Sequence, residues 1–313
     1  MLRYTATRFL LWIPSVLLVM LGVYALAFYG AGDPIKLIFL RAPGDVAYDP
    51  VRIEAIRESA GLTKPFLEQF LNYVLNLLQG NFGNSLSSGR KVWSMISAAA
   101  PVSFQLGLCA IVVTALIAIP LGLIAGLNQN SKLDYTILGS ALFLWAIPPY
   151  VAGPLLMVGF LLILPGINMP YGWGGIFDAK IMLPLIVLSF QPIALIVRQT
   201  RAAVIEVLSE DFVRTARAKG LSSARVVLKH GLRNALMPVI TVAGMQFGSL
   251  LSGAVVTEKI FGRPGLGTLL LEGIMQRDYR VVQGCTLVVA VLYVGVNLLT
   301  DLLYAATDPR IRL

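Results

Sequence analysis

The sequence predicts an all-α membrane protein, and three observations lead to that fold class. Hydrophobic residues make up 57% of the 313-residue chain and charged residues only 13%, whereas soluble domains have about 45–50% and about 25%. The mean hydropathy is +0.78, which leaves too few charges to cover a water-soluble globule. The apolar residues also form long uninterrupted windows, and a spanning helix needs about 20 such residues.

Six windows of the chain contain no Asp, Glu, Lys or Arg. Each window can hold one transmembrane helix, so the sequence predicts six spans. The third window contains Pro148, Pro149 and Pro154, which are expected to kink or break a helix. The windows are Phe9–Gly32, Val92–Ser131, Tyr135–Phe177, Ile181–Val197, Asn234–Thr257 and Val281–Thr300.

The basic residues predict the orientation of the chain in the membrane. Between the fourth and fifth windows, residues 198–233 carry eight Lys and Arg residues against three acids. Lys and Arg accumulate in cytoplasmic loops, so this loop is predicted to be cytoplasmic. With an even number of spans, both termini are then cytoplasmic as well, and the chain is predicted to be a multi-pass protein of the inner membrane.

The chain divides into two parts at about residue 91. Residues 1–91 are predicted to contain the first transmembrane helix and an extracytoplasmic segment with short helices after Asp49-Pro50 and at Pro65. Residues 92–313 are predicted to form a five-helix core with a long cytoplasmic loop at 206–235. In the helix at Pro65, an apolar stripe is expected to pack on the membrane domain. That stripe consists of Phe66, Phe70, Tyr73, Leu77 and Leu78.

Several functions are disfavoured by residues that the sequence lacks. Carriers driven by ion gradients use intramembrane Asp, Glu or His residues, and none of the six windows contains one. The single histidine, His230, and two separated cysteines predict no metal site. The chain has no Gly-x-x-x-x-Gly-Lys-Ser/Thr loop for nucleotide phosphates, so energy from ATP requires a separate ATPase. The basic loop contains one aromatic residue, Phe212, which argues against nucleic-acid binding.

Three of the glutamines within the apolar windows stand out as isolated polar residues. Each of them either lines a pathway or, as is more common, forms hydrogen bonds between helices. They are Gln105, Gln191 and Gln246.

The cytoplasmic loop contains the signals of a short, well-terminated helix. Ser209 is a suitable N-cap, with Glu210 and Asp211 in the first turn. Arg217 falls in the last turn, and Gly220 suits the left-handed position that follows a helix. A helix of about three turns is not stable alone in water, so it needs a surface to pack against.

A second helix is predicted after Ser222 or Ser223, either of which can be its N-cap. On this helix Arg225, Lys229 and Arg233 form a basic stripe that leads to the fifth span. A juxtamembrane helix lying on anionic lipid would explain the stripe, but it explains the terminated helix before it poorly. The sequence therefore predicts a docking site for a partner protein.

These residues carry a resemblance to a known family. The cytoplasmic loop resembles that of ABC importer permeases, in particular the dipeptide, oligopeptide and nickel group. The general importer signature has Glu-Ala-Ala before its glycine, whereas this chain has Arg214-Thr215-Ala216 before Gly220, a departure that the peptide group shares. The last external loop and the end of the chain are also similar to that group. The matching segments are 210–221, 230–238, 257–267, 277–284 and 308–312.

The resemblance implies a type I importer permease with six transmembrane helices and a cytoplasmic coupling helix. Such a permease works with a second homologous permease subunit, two ATPase subunits and an extracytoplasmic solute-binding protein. The chain itself is then not an enzyme and holds no cofactor, because ATP and Mg²⁺ are bound by the ATPase subunits. The residues implied to contact the ATPase are Glu210, Asp211, Arg214, Ala216, Arg217 and Gly220.

Short peptides are the expected substrate, and the chain would form half of their translocation path. Relatives of this group also transport nickel or oligosaccharides, so both remain alternatives. An ion-gradient-driven secondary carrier is an alternative from another class, and a membrane-anchoring or respiratory subunit is a further one. In importers of this kind selectivity rests largely on the binding protein, and the sequence therefore assigns no substrate-binding residue.

Overall fold

The computed structural model describes residues 2–30, 54, 58, 63–222 and 225–307. Asp49 and Pro50, after which a short helix is predicted, lie outside these ranges. The α-helices of the described residues are α1 (Leu2–Gly30), α2 (Phe66–Leu78), α3 (Val92–Leu127), α4 (Lys132–Ala146), α5 (Pro149–Ile163), α6 (Met182–Ser209), α7 (Asp211–Ala218), α8 (Leu232–Gly253), α9 (Val255–Ile260), α10 (Leu266–Met275) and α11 (Tyr279–Thr307).

Helices α1, α3, α6, α8 and α11 are each long and apolar enough to cross a membrane. Helices α4 and α5 meet the same criterion only as a pair, and they are bent by 99° relative to each other. When the bent pair is counted as one span, the described residues give the six spans that the sequence predicts. The spanning parts of the five long helices are Trp12–Tyr29, Val92–Leu127, Ala179–Ser209, Asn234–Leu251 and Tyr279–Leu302.

The bend between α4 and α5 lies at the predicted proline pair. Ile147 and Pro148 have ψ angles of 113° and 145°, because a residue that precedes proline is pushed out of the helical region. Pro149 is the first residue of α5, where a missing N–H group costs nothing. The sequence also predicts a kink or break at Pro154, but this residue lies inside α5 and the helix is not broken there.

The centre of the fold is the contact between α3, which has 36 residues, and α6. Glycines on α3 allow the two backbones to approach closely. A Cβ atom at Gly122 would lie 2.8 Å from the carbonyl oxygen of Val197, and one at Gly126 would lie 2.9 Å from the Cβ atom of Val204. Small residues favour such close helix packing in membranes. The contact fixes the position of α6, which leads into the cytoplasmic helix.

Helix α2 packs on α1 through aromatic side chains, which confirms most of the predicted stripe. The Tyr24 ring centroid lies 5.6 Å from that of Phe70 and 5.2 Å from that of Tyr73. The inclusion of Leu78 in the stripe is wrong, because this side chain is 80% exposed. Adjacent helical positions differ by about 100°, and Leu77 already occupies the inward direction.

Candidate functional site

The cytoplasmic helix predicted from the sequence is α7, which follows α6 after a single residue. Glu210 has φ −67° and ψ 148°, so the backbone leaves the helical conformation between Ser209 and Asp211. The carbonyl oxygen of Glu210 accepts the N–H of Val213 at 3.0 Å, as that of an N-cap residue does. The prediction of Ser209 as N-cap is wrong. Ser209 ends α6, and its Oγ donates to the carbonyl oxygen of Glu206 at 2.6 Å.

Gly220 terminates α7 in the predicted left-handed conformation. Its φ is +77°, and the N–H of Leu221 donates to the carbonyl oxygen of Ala216 at 3.3 Å, the long-range bond of a Schellman motif. A Cβ atom at position 220 would meet nothing within 4 Å. Glycine is therefore favoured here by the backbone conformation and not by a lack of space.

Helix α7 anchors one apolar side chain in the protein and exposes a mostly polar face. Val213 is completely buried, where α7 contacts α6 and the turn before α8. Ala216 is half-buried on the flank beside Val213, whereas Ala218 points outward. The Arg217 side chain lies outside the described part of the chain. The exposed side chains are Asp211, Phe212, Arg214, Thr215, Ala218 and Lys219.

The segment after α7 is a π-helical turn, Val226–Gly231, that continues into α8. The sequence predicts an α-helix here. Val226, Val227 and Gly231 are all buried, and the wider π turn brings these three positions closer to one direction than an α-helix would. Of the predicted basic stripe, Arg225 is exposed, while the other two side chains and the alternative cap Ser223 are outside the described residues.

A buried ion pair connects the first turn of α4 to α6. Arg201 donates from Nε to Oδ1 and from Nη2 to Oδ2 of Asp134, both at 2.7 Å. Asp134 is completely buried, and its Oδ2 also accepts the N–H of Asn130 at 2.9 Å. The pair lies about two and a half helical turns before the break at Glu210. It therefore links the α3–α4 loop to the base of α7.

The sequence alone does not identify this ion pair, although it contains one signal of it. Asp134 is the only acid between the second and third apolar windows. In a chain with few charges, an acid in the short connection between two spans is commonly paired with a base on a neighbouring helix. The sequence gives no indication of which base that is.

At the other end of the membrane core, a buried carboxylate holds the start of α10. Glu258 is completely buried, and its Oε1 accepts the hydroxyl of Ser103 at 2.5 Å. Its Oε2 accepts the N–H of Thr268 at 3.0 Å, one of the free amide groups of a helix N-terminus. Burial raises the pKa of Glu258, and the hydrogen bonds from Ser103, Thr268 and Gly267 oppose that rise. A Cβ atom at Gly265 would lie 2.4 Å from this carboxylate.

A second carboxylate holds the segment before α3 on the start of α11. Oδ2 of Asp278 accepts the hydroxyl of Ser85 at 2.6 Å and both the N–H and the hydroxyl of Ser87 at 3.0 Å. Its Oδ1 accepts the N–H of Val281 at 3.3 Å in the first turn of α11. Burial alone would raise the pKa of Asp278, but the hydrogen bonds from Ser85, from Ser87 and from the backbone of Leu86 outweigh it and hold the pKa below its usual value.

A buried arginine holds the loop between α5 and α6 against the turn after α9. Nη2 of Arg263 donates to the carbonyl oxygen of Lys180, and its guanidinium carbon lies 5.8 Å from the centroid of the Trp173 ring, within reach of a cation–π contact. Burial lowers the pKa of Arg263, against the opposing effect of Asp178. Gly262 has φ +65°, the left-handed conformation that allows the chain to turn here.

The chain is similar to several curated permeases along its whole length. The dipeptide transport system permease protein of Escherichia coli (strain K12) is 37% identical over 343 residues, which cover 100% of this chain and 99% of that protein. The di/tripeptide permease of Pseudomonas aeruginosa is 40% identical over 337 residues, with the same coverage. The glutathione permease of Pectobacterium atrosepticum is 39% identical over 316 residues, again with that coverage.

Solved structures give the same fold, and a family model gives the family. A chain of the inward-facing MetNI methionine ABC transporter has a TM-score of 0.58 at 17% identity, covering 69% of this chain and 97% of that one. Residues 118–313 match the model of the binding-protein-dependent transport system inner membrane component. These findings confirm the predicted type I importer fold and the resemblance. The chain therefore belongs to the family of binding-protein-dependent transport system inner membrane components, the permeases of ABC importers.

Proposed function

We propose that the chain is one of two permease subunits that together form the path of short peptides across the inner membrane. An extracytoplasmic binding protein delivers the peptide, and two separate ATPase subunits supply the energy. Three relatives of similar length are named for dipeptides, di/tripeptides and glutathione, which favours peptides over nickel or oligosaccharides as the cargo.

Helix α7 carries this proposal. It has only eight residues, too few for a helix that is stable by itself, yet it is terminated at both ends and presents a polar face to the outside. Among the side chains of α7 that the structure describes, only Val213 is fully buried. This anchor leaves the polar face free to enter a cleft in an ATPase. The residues that we assign to the ATPase contact are Glu210, Asp211, Arg214, Ala216, Arg217 and Gly220.

The connection between α7 and α6 suggests how the coupling works. When the ATPases close around ATP and Mg²⁺, α7 moves with them, and the extended backbone at Glu210 takes up the change of direction. The motion passes into α6, a candidate spanning helix, and through the Arg201–Asp134 pair into the loop between α3 and α4. This chain contributes the path and the lever, while the ATPase subunits hold the nucleotide and perform its hydrolysis.

The proposal places α7 and both termini in the cytoplasm and residues 33–91 outside, in agreement with the charge bias. Exposed Thr63 and Ser222 test it when each is replaced by cysteine in a background that lacks Cys109 and Cys285. An impermeant maleimide should label Thr63→Cys in intact cells, and Ser222→Cys only after permeabilisation. Labelling of Ser222→Cys alone in intact cells would reverse the topology.

The function is tested by reconstituting the complete transporter in vesicles with its binding protein. We expect the peptide-loaded binding protein to stimulate ATP hydrolysis and peptide to accumulate inside the vesicles. The purified single chain should hydrolyse no ATP, because its sequence has no phosphate-binding loop. Peptide uptake by the single chain under a proton or sodium gradient, without ATPase subunits, would support the secondary carrier and reject the proposal.

A further inference from the structure

Helix α6 has an exposed face that combines polar side chains with its membrane-spanning part. Gln191, Arg198 and Ala202 are exposed and Leu195 is partly exposed. They follow one another at intervals of four, three and four, so they lie along one side of the helix. Gln191 and Arg198 are separated by about 10 Å along the helix axis. Gln191 lies within the fourth apolar window, and Arg198 directly follows the last residue of that window in the same continuous helix.

The two arginines on this part of α6 differ in their partners. Arg201 is held in a two-fold hydrogen bond by Asp134, whereas Arg198 forms no hydrogen bond or ion pair with any residue in the described ranges. An arginine at the end of a span is stable where its guanidinium reaches water or an anion. The guanidinium of Arg198 is therefore open to an anionic ligand at the end of this span.

Arg198 lies at the edge of a cleft between α4 and α6. The cleft has a volume of about 320 Å³, within the range of about 300–1,000 Å³ that small-molecule sites occupy. Arg198 and Arg201 contribute its charged part. Its apolar walls are formed by Leu138, Ala141, Leu142, Trp145, Ala194 and Leu195.

We propose that this cleft is a peptide site on the translocation path, in which Arg198 binds the C-terminal carboxylate of the passing peptide. This inference rests on the proposed function. A guanidinium matches a carboxylate through two parallel hydrogen bonds. The apolar walls offer no specific partner to the peptide side chains, which suits a path that accepts many sequences.

Phospholipid is the other source of an anion at this end of the span, and the α6 face argues against it. A lipid phosphate would occupy Arg198, but its acyl chains would then run along the same face toward Gln191. Within the described residues the Gln191 side chain is exposed and forms no hydrogen bond, and an amide without a partner is unfavourable in hydrocarbon. A hydrated path satisfies both residues at once.

The test compares Arg198→Gln and Arg198→Lys with a control, Arg90→Gln. The control removes an exposed arginine from the segment before α3. Each complete transporter is placed in vesicles with its binding protein, and the import of radiolabelled Ala-Ala is measured together with ATP hydrolysis. We expect Arg198→Gln to retain stimulated hydrolysis but to import about tenfold less dipeptide per ATP, the size of one charge-assisted hydrogen bond. Arg198→Lys should recover part of the loss, and Arg90→Gln should match wild type.

Three outcomes would overturn the assignment. If Arg198 had no role, the Arg198→Gln transporter would import as much dipeptide per ATP hydrolysed as the wild type does. If its role were structural, dipeptide import and ATP hydrolysis would fall together. The defect would disappear in vesicles made without phosphatidylglycerol if Arg198 bound an anionic lipid. A wild-type complex that imports no dipeptide in these vesicles would instead reject the proposed function itself.

Discussion

Replacing Asp134 with alanine is expected to lower the stability of the membrane domain by about 3 kcal/mol, the lower end of the 3–5 kcal/mol found when one partner of a buried ion pair is removed. The substitution leaves the guanidinium of Arg201 without its two hydrogen bonds. The lower end applies because the Arg201 side chain is 22% exposed and borders the cleft, so water can partly replace the lost carboxylate. Thermal unfolding of the purified complex in detergent, followed by circular dichroism, measures the effect.

Two further variants separate the ion pair from the general cost of a substitution. Glu206→Ala removes an exposed acid from α6 and should change stability by less than about 0.5 kcal/mol. The double change Asp134→Leu with Arg201→Met should recover most of the lost stability, because no unpaired charge remains. If Asp134→Ala unfolds at the same temperature as Glu206→Ala, the pair contributes nothing to stability.

The elements that the sequence predicts correctly depend on local patterns. Long apolar windows specify the spanning helices, and Pro148-Pro149 specifies the bend between α4 and α5, because both signals act on the segment that contains them. The buried pairs depend on distant segments. Asp134 and Arg201 are 67 residues apart, and Ser103 and Glu258 are 155 residues apart. A single sequence contains no information on which of several bases or hydroxyls meets each carboxylate.

Helix α7 shows the same division within one element. Its existence and its end at Gly220 follow from local capping chemistry. The predicted start is one residue too early, because α6 continues through Ser209 before the backbone turns at Glu210. The orientation of α7 was not predictable either, since Val213, Ala216 and Ala218 all offer a small apolar surface. The packing against α6 and the turn before α8 selects Val213 as the anchor.

Replacing Gly220 with valine is expected to lower peptide-stimulated ATP hydrolysis and import about tenfold or more. A branched L-residue in the left-handed conformation costs roughly 1–2 kcal/mol, and an eight-residue helix has little stability to spare. Because a Cβ atom at this position meets nothing within 4 Å, the effect should come from the backbone alone. Gly220→Asn is the matched control, since asparagine tolerates this conformation, and it should retain most of the activity.

Charge introduced on α7 tests the same coupling from the docking face. Ala218→Glu places an unpaired charge on the exposed side of α7, and Ala216→Glu places one on its half-buried flank. Both variants should insert into the membrane normally. Both should lose peptide-stimulated ATP hydrolysis, because the ATPases no longer respond to the membrane domain. If α7 and the following turn instead rest on anionic lipid, these variants and Gly220→Val would be nearly silent. Neutralising Arg225, Lys229 and Arg233 would then abolish import. Assays on membranes with matched expression distinguish the two cases, and wild-type activity in all three α7 variants would rule out the coupling role.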